Sequence, residues 1–183
     1  TYSADERQAM AAEVKGIYEH LLSLCNSELN GLYLFGGHQT GEKPYRPDAS
    51  GQISYYGDSG ARRQEISPHQ EIIMNLSGEE AFGGTETLAA VEAIYRALQE
   101  EDRAYLGGEG LNRMDDCIGR LLRNLSVVGA RVQRLDAAEN ALFEQTIYLR
   151  EMVSRVEDID HADTIIEYRM QENAYQAALS TAA

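Results

Sequence analysis

A few groups of residues have types and spacings that could do chemistry. Ser59 lies in the string Gly57-Asp58-Ser59-Gly60, where an acid and two glycines flank a hydroxyl. A serine nucleophile works only with an oriented imidazole as its base. His20, His38, His69 and His161 stand in no motif that would supply one, and Asp with Gly in such a tetrapeptide is explained by a hairpin turn. Glu157, Asp158, Asp160 and Asp163 offer hard oxygens to a cation, yet the glycine and closing Glu of a calcium loop are missing. The reading is a solvated acidic joint between helical registers. The histidines have no ligand spacing. Gly107-Gly108-Glu109-Gly110 is not followed by Lys-Ser or Lys-Thr, so it is no phosphate loop. Cys25 and Cys117 fit neither a disulfide framework nor a zinc set, and read as small apolar packing groups. No catalytic residue, cofactor-binding residue or metal ligand is assigned. The chain reads as a non-enzyme with no cofactor.

Composition narrows the partners. Among 183 residues, 30 are acidic and 16 basic, a formal charge of -14. Nucleic acid is excluded as a partner, because binding it needs a cationic face that displaces counterions from phosphates. No apolar run approaches the length that spans a bilayer. The chain opens on a helix cap instead of a basic segment followed by an apolar one, so no signal peptide is read and the piece is expected to come from something longer.

The elements follow from periodicity. Ser3-Ala4-Asp5-Glu6 is a capping box, with Asp5 and Glu6 on the positive end of a helix dipole. Met10, Val14, Ile17, Leu21 and Leu24 then form one stripe, and Ala11, Tyr18, Leu22, Cys25 and Leu29 a second beside it. A face that wide calls for two neighbouring helices. The helix is expected to stop at Asn30-Gly31. Residues 32–108 hold all three prolines and most of the glycines, with β-like runs at 32–35, 53–56, 62–66 and 72–76. Ser67-Pro68-His69 reads as a turn. A short helix from Thr85 or Thr87 carries Leu88, Val91, Tyr95 and Leu98 on one face, and Gly107-Gly108 closes the region.

The third segment carries the strongest pattern. Leu111, Met114, Ile118, Leu121, Leu125, Val128, Val132, Leu135, Glu139, Leu142, Thr146, Leu149, Val153 and Val156 alternate spacings of three and four without a slip. Twelve of these positions are apolar, where a composition of 43% hydrophobic gives about six by chance. This is the sustained heptad seam of a long coiled-coil helix, with Glu139 and Thr146 as polar register-setters. Register fails at Asp160 and Asp163, and a new stripe (Ile159, Ala162, Ile166, Met170, Ala177) takes over beyond a joint near residues 157–161.

The fold class expected is therefore mainly α with a β-rich insertion. An elongated antiparallel long-helix bundle (residues 1–31 with 109–183, discontinuous) would carry a small projecting β-containing domain at 32–108 with one short helix. At 1.5 Å per residue the first helix would span roughly 40 Å and the long one roughly 70 Å. About 30 Å of seam would then lack a partner, and a missing helix would fill that vacancy.

Several stretches also resemble a known family. Residues 26–37, NSELNGLYLFGG, closing a helix, are similar to a segment that marks the hook–filament junction proteins of bacterial flagella, the hook-associated protein 3 type within the flagellin superfamily. YYGDSGARRQEI (55–66) resembles their small β region, and SADERQAMAAEV (3–14) the start of their second N-terminal helix. LSVVGARVQRLDAAENAL (125–142) and VEDIDHADTIIEYRMQENAYQAAL (156–179) look like the C-terminal helix that family shares with flagellin. The resemblance covers nearly the whole chain. A flagellin filament subunit is the alternative within the superfamily, disfavoured because flagellin does not usually carry the NG-YLFGG element. A coiled-coil binding adaptor unrelated to flagella is the alternative outside it.

The resemblance implies a flagellin D1-like bundle forming the wall, a D2-like projection, and a structural role as an adaptor between hook and filament. It implies an extracellular location reached through the flagellar type III route without a cleaved signal. It implies as partners neighbouring copies of the chain, the adjacent hook-associated protein, flagellin and an export chaperone. Family members carry a further long helix before Ser3 and a few residues after Ala183, so the chain is expected to be a trimmed core.

Overall fold

The computed structural model describes residues 3–67 and 70–181, apart from the side chains of 158–162. Pro68 and His69 of the expected turn lie outside the described residues. So do the side chains of Asp158, Ile159, Asp160, His161 and Ala162, on which the expected joint and second stripe partly rest.

The first helix, α1 (Ala4–Cys25), begins as its cap dictates. The Ser3 hydroxyl accepts from the Glu6 amide at 3.3 Å, and the Glu6 carboxylate accepts from the Ser3 amide at 2.6 Å. It ends five residues before Asn30-Gly31. Asn26 is the reason: its side chain donates to the last-turn carbonyl of Leu22 (3.2 Å) and to the carbonyl of Tyr45 (2.9 Å), and accepts from the Tyr45 amide (2.9 Å). One amide side chain thus adds a second bond to the Leu22 carbonyl, which already accepts the Asn26 N–H, and docks the next segment. Asn30 (φ 54°) and Gly31 (φ 78°) both take positive φ and turn a tight hairpin between β1 (Glu28–Leu29) and β2 (Leu32–Tyr33). Asn-Gly is as strong a hairpin sequence as it is a helix stop, and the hairpin wins here.

Two further antiparallel ribbons follow. Strand β3 (Tyr45–Pro47) pairs with β4 (Ile53–Tyr55), and β5 (Arg63–Ser67) with β6 (Gln70–Ile73). Among the described residues the three ribbons stay separate. Because β4 and β5 do not pair, Gly57-Asp58-Ser59-Gly60 is a connecting loop and not the hairpin turn expected of it. Next, Ser77-Gly78-Glu79-Glu80 forms a capping box that opens the short α2 (Gly78–Phe82). Helices α3 (Glu86–Glu100) and α4 (Arg103–Gly107) precede α5 (Glu109–Thr181), 73 residues of continuous helix. The helix passes through residues 157–161 without the expected interruption.

The chain divides into two compact units, Thr1–Gln133 and Arg134–Ala183. Within the first, α1 packs principally on α3. The sequence places these two helices in different domains, and pairs residues 1–31 with 109–183. Of the two stripes on α1, Ala11 and Cys25 of the second are buried, while Ile17 and Leu24 of the first face solvent. The core joins the end of α1 to the ribbons: Cys25, Tyr45, Ala81, Phe82 and Leu88 are buried together, with Phe35 edge-on to Phe82 at 4.9 Å. The fold is mainly α with a small antiparallel β part.

Candidate functional site

The residues singled out for catalysis do not assemble into a site. Ser59 is exposed. Asp58 takes the backbone amides of His38 (2.8 Å) and Gly60 (2.7 Å), which hold its carboxyl below the usual aspartate range. Its link to His38 therefore runs through the peptide and not the imidazole, whose Nε2 lies 3.4 Å from the Ala61 carbonyl. The geometry orients a loop and not a base. No group of His, Cys, Asp or Glu among the described residues is arranged to hold a metal. Cys25 and Cys117 are both free and buried, and burial pushes the Cys25 thiol up to about 12. The depression over α3 and α4, about 280 Å³, is shallow and mixed in character, with Glu92, Arg96, Glu100, Asp102 and Tyr105 on its walls. No helix of the described residues is long and apolar enough to cross a membrane.

The Asp58 loop has a structural task instead. Gly37 sits at φ +70°, and a Cβ on it would lie 2.2 Å from the Asp58 carbonyl oxygen. The Tyr55 hydroxyl donates to the Phe35 carbonyl at 2.9 Å. Asn75 donates to the Gly60 carbonyl (2.8 Å) and accepts from the Arg62 amide (2.8 Å). The LFGGH and GDSG strings are thus two halves of one contact, which Asn75 closes from a third segment.

What remains open is the ridge on α5. Leu111, Ile118, Leu125 and Val132 form one heptad line, and all are exposed, Leu125 at 67%. On the other line Met114 and Leu135 are half-buried, while Leu121 (37%) and Val128 (38%) are marginally exposed. In the second unit, Leu142, Leu149, Val153 and Val156 are exposed, and Leu149 and Val153 line an apolar groove with Thr146. Thr146 satisfies its own hydroxyl by donating to the Leu142 carbonyl at 2.8 Å.

A different set of residues faces the rest of the first unit. Gly110 and Cys117 are buried, and Arg120, Asn124 and Arg131 are half-buried. Asn124 donates to the Glu80 carbonyl (2.6 Å), Arg131 to the Asn75 carbonyl (2.8 Å), and Arg120 pairs with Glu86. Cys117, Asn124 and Arg131 recur every seven residues, one position before Ile118, Leu125 and Val132. One position is about 100° of helix rotation. That polar heptad line beside the seam was missed in the sequence, and its spacing was the clue available.

This arrangement has counterparts. No protein-family model matches the chain. Flagellar hook-associated protein 3 of Escherichia coli (strain K12) is 21% identical to it over 97% of this chain and 63% of that protein. The Salmonella typhimurium protein of the same name is 22% identical over 99% and 64% respectively. The chain thus spans a little under two thirds of the length of these relatives. The crystal structure of flagellar hook-associated protein 3 from Legionella pneumophila matches with a TM-score of 0.75 over 87% of this chain and 84% of that one, at 15% identity. FlgL of Bacillus cereus gives 0.68 over 79% and 71%, at 21% identity. The chain shares their fold. The hook-associated proteins are also those that the NG-YLFGG element resembles, and in this structure that element forms the β1–β2 hairpin and the glycine pair clamped by Asp58.

Proposed function

We propose that this chain is a structural subunit of the bacterial flagellum, an adaptor at the hook–filament junction that assembles by helix packing. The observation that carries the reading is the α5 ridge: a heptad line of large apolar side chains that its own unit leaves in solvent. Burying such a line yields roughly 25 cal/mol per Å², and exposed apolar surface of that extent marks an interaction site. The names of the relatives support the flagellar setting. In this reading residues 1–31 and 109–183 belong to the wall and 32–108 to a projecting domain. The partners are neighbouring copies, the adjacent hook-associated protein and flagellin. An export chaperone and the flagellar type III route, without a cleaved signal, deliver it outside the cell. It performs no catalysis.

Deletion of the full-length gene tests this directly. Cells should keep their hooks and shed their filaments into the medium, as electron microscopy and filament immunoblots would register. Normal filaments on deleted cells would remove the junction role.

A further inference from the structure

The chain holds seven asparagines, and their surroundings set one of them apart. Asn112, Asn124, Asn140 and Asn173 lie inside α5, where the amide that follows each is engaged in the helix ladder. The Asn26 side chain is held by Leu22 and Tyr45, and the next amide, that of Ser27, donates to the Leu24 carbonyl at 3.0 Å. Asn75 is held by Gly60 and Arg62 and is followed by the bulky Leu76. Asn30 differs on every count. It is exposed, and among the described residues no hydrogen bond holds its side-chain amide. The residue after it is Gly31, also exposed, and a Cβ there would meet nothing within 4 Å.

An asparagine side chain carries an electrophile within reach of the next backbone nitrogen. Once that nitrogen gives up its proton to solvent, it can attack Cγ. The Cγ–Nδ2 bond breaks, ammonia leaves, and a five-membered imide remains. Water then opens the imide at either carbonyl, giving an aspartyl residue or an isoaspartyl residue whose backbone runs through Cβ and Cγ. Nothing is oxidised or reduced, and water is the co-reactant. A following glycine leaves the attacking nitrogen unshielded, because it has no Cβ. Ring closure fixes the Asn30 torsion about Cα–C, so the turn must open first. Two residue pairs hold it, and both members of the pair beside the turn, Leu29 and Leu32, are exposed. So short a ladder opens locally at little cost.

We propose that Asn30–Gly31 is a self-modification site, at which the folded chain converts the Asn30 amide to aspartyl and isoaspartyl products. Either product adds one negative charge close to Glu28. The isoaspartyl form also adds a backbone carbon to a two-residue loop, which has no place for it, so β1 parts from β2. That form is a substrate for carboxyl methylation by an isoaspartate-specific methyltransferase. The inference does not depend on the flagellar reading, and its test uses this chain alone.

The folded chain is aged in neutral buffer beside a urea-unfolded sample, until the unfolded sample has lost half of its Asn30 amide. Peptide mapping with electron-transfer fragmentation then reads each asparagine and separates aspartyl from isoaspartyl. The folded chain should show both products at position 30, with Asn26 and Asn75 intact; in urea Asn26 should react as well. A folded chain still intact at Asn30 overturns the proposal, because the hairpin then locks the site. Equal conversion of Asn26 and Asn30 in the folded chain overturns it too. Labelling by an isoaspartate methyltransferase should be lost in Asn30→Gln, whose longer side chain would have to close a six-membered ring; unchanged labelling places the reaction elsewhere. The purified isoaspartyl form should exchange the amides of residues 28–33 faster than the parent, while residues 63–67 and 70–73 keep their rates. Unchanged exchange in 28–33 would refute the parting of the hairpin.

Discussion

Asp58 shows how one side chain can imitate a catalytic residue and perform a structural task. Two backbone amides solvate its carboxylate, and His38 adds a smaller favourable field. A folded-state pKa held below the unfolded value contributes stability that is present above the ordinary aspartate range. It is lost as pH falls through the folded value. Asp48, bonded to the Ser50 hydroxyl and amide, and Glu101, bonded to Arg103, act in the same direction. The urea midpoint of the parent should therefore drop between about pH 5 and pH 3. Asp58→Asn keeps the acceptor oxygen but not the titration, so its drop should be smaller; an identical acid profile would count against this role. Gly37 makes a sharper case. Any side chain there meets the Asp58 carbonyl at a backbone conformation that L residues resist. Gly37→Ala is expected to lower unfolding stability by about 2 kcal/mol or more, readable by urea denaturation.

At the level of elements, the sequence disclosed what periodicity controls and hid what contacts control. The Ser3 capping box, the short helix from Thr85, the break at Gly107-Gly108 and the long heptad helix are all present. Strand β3 was invisible because Tyr45-Arg46-Pro47 has no alternation to read; Asn26 and the partner strand hold it in place. The α1 boundary failed for the same reason, since Asn26 ends the helix through a bond to a residue nineteen positions away. The α2 capping box is legible in Ser77-Gly78-Glu79-Glu80, whose spacing matches that of Ser3-Ala4-Asp5-Glu6. The seam was legible residue by residue, and so was a stretch of about 30 Å without a partner; the exposure of Leu111, Ile118, Leu125 and Val132 as well was not. Which line of a heptad faces inward depends on the polar neighbours at Asn124 and Arg131. Those exposures yield a test of the ridge. Leu125→Asp and Val132→Asp should shift the stability of the chain by no more than about 0.5 kcal/mol. In the full-length protein they should abolish filament retention. Losses of several kcal/mol in the isolated chain would mean the ridge is internal after all.

Across the whole molecule, charge would oppose the assembly proposed for the ridge. A formal charge of -14 repels like copies at long range, and added salt shortens the reach of that repulsion. Self-association of the chain should therefore strengthen as ionic strength rises, measured by sedimentation velocity. Weakening with salt would indicate contacts built on ion pairs and not on leucine and valine. The three ribbons bear on a separate matter. Each closes on itself, so none depends on another for its hydrogen-bond ladder. The bend after Asp48, fastened by the Asp48 carboxylate to Ser50 and Gln52, is accordingly a place where foreign peptide could be spliced in. A tag grafted at Gly51 would lengthen one ribbon and leave the other two, and the ridge, as they were, which makes that turn a convenient handle for labelling the protein in living cells.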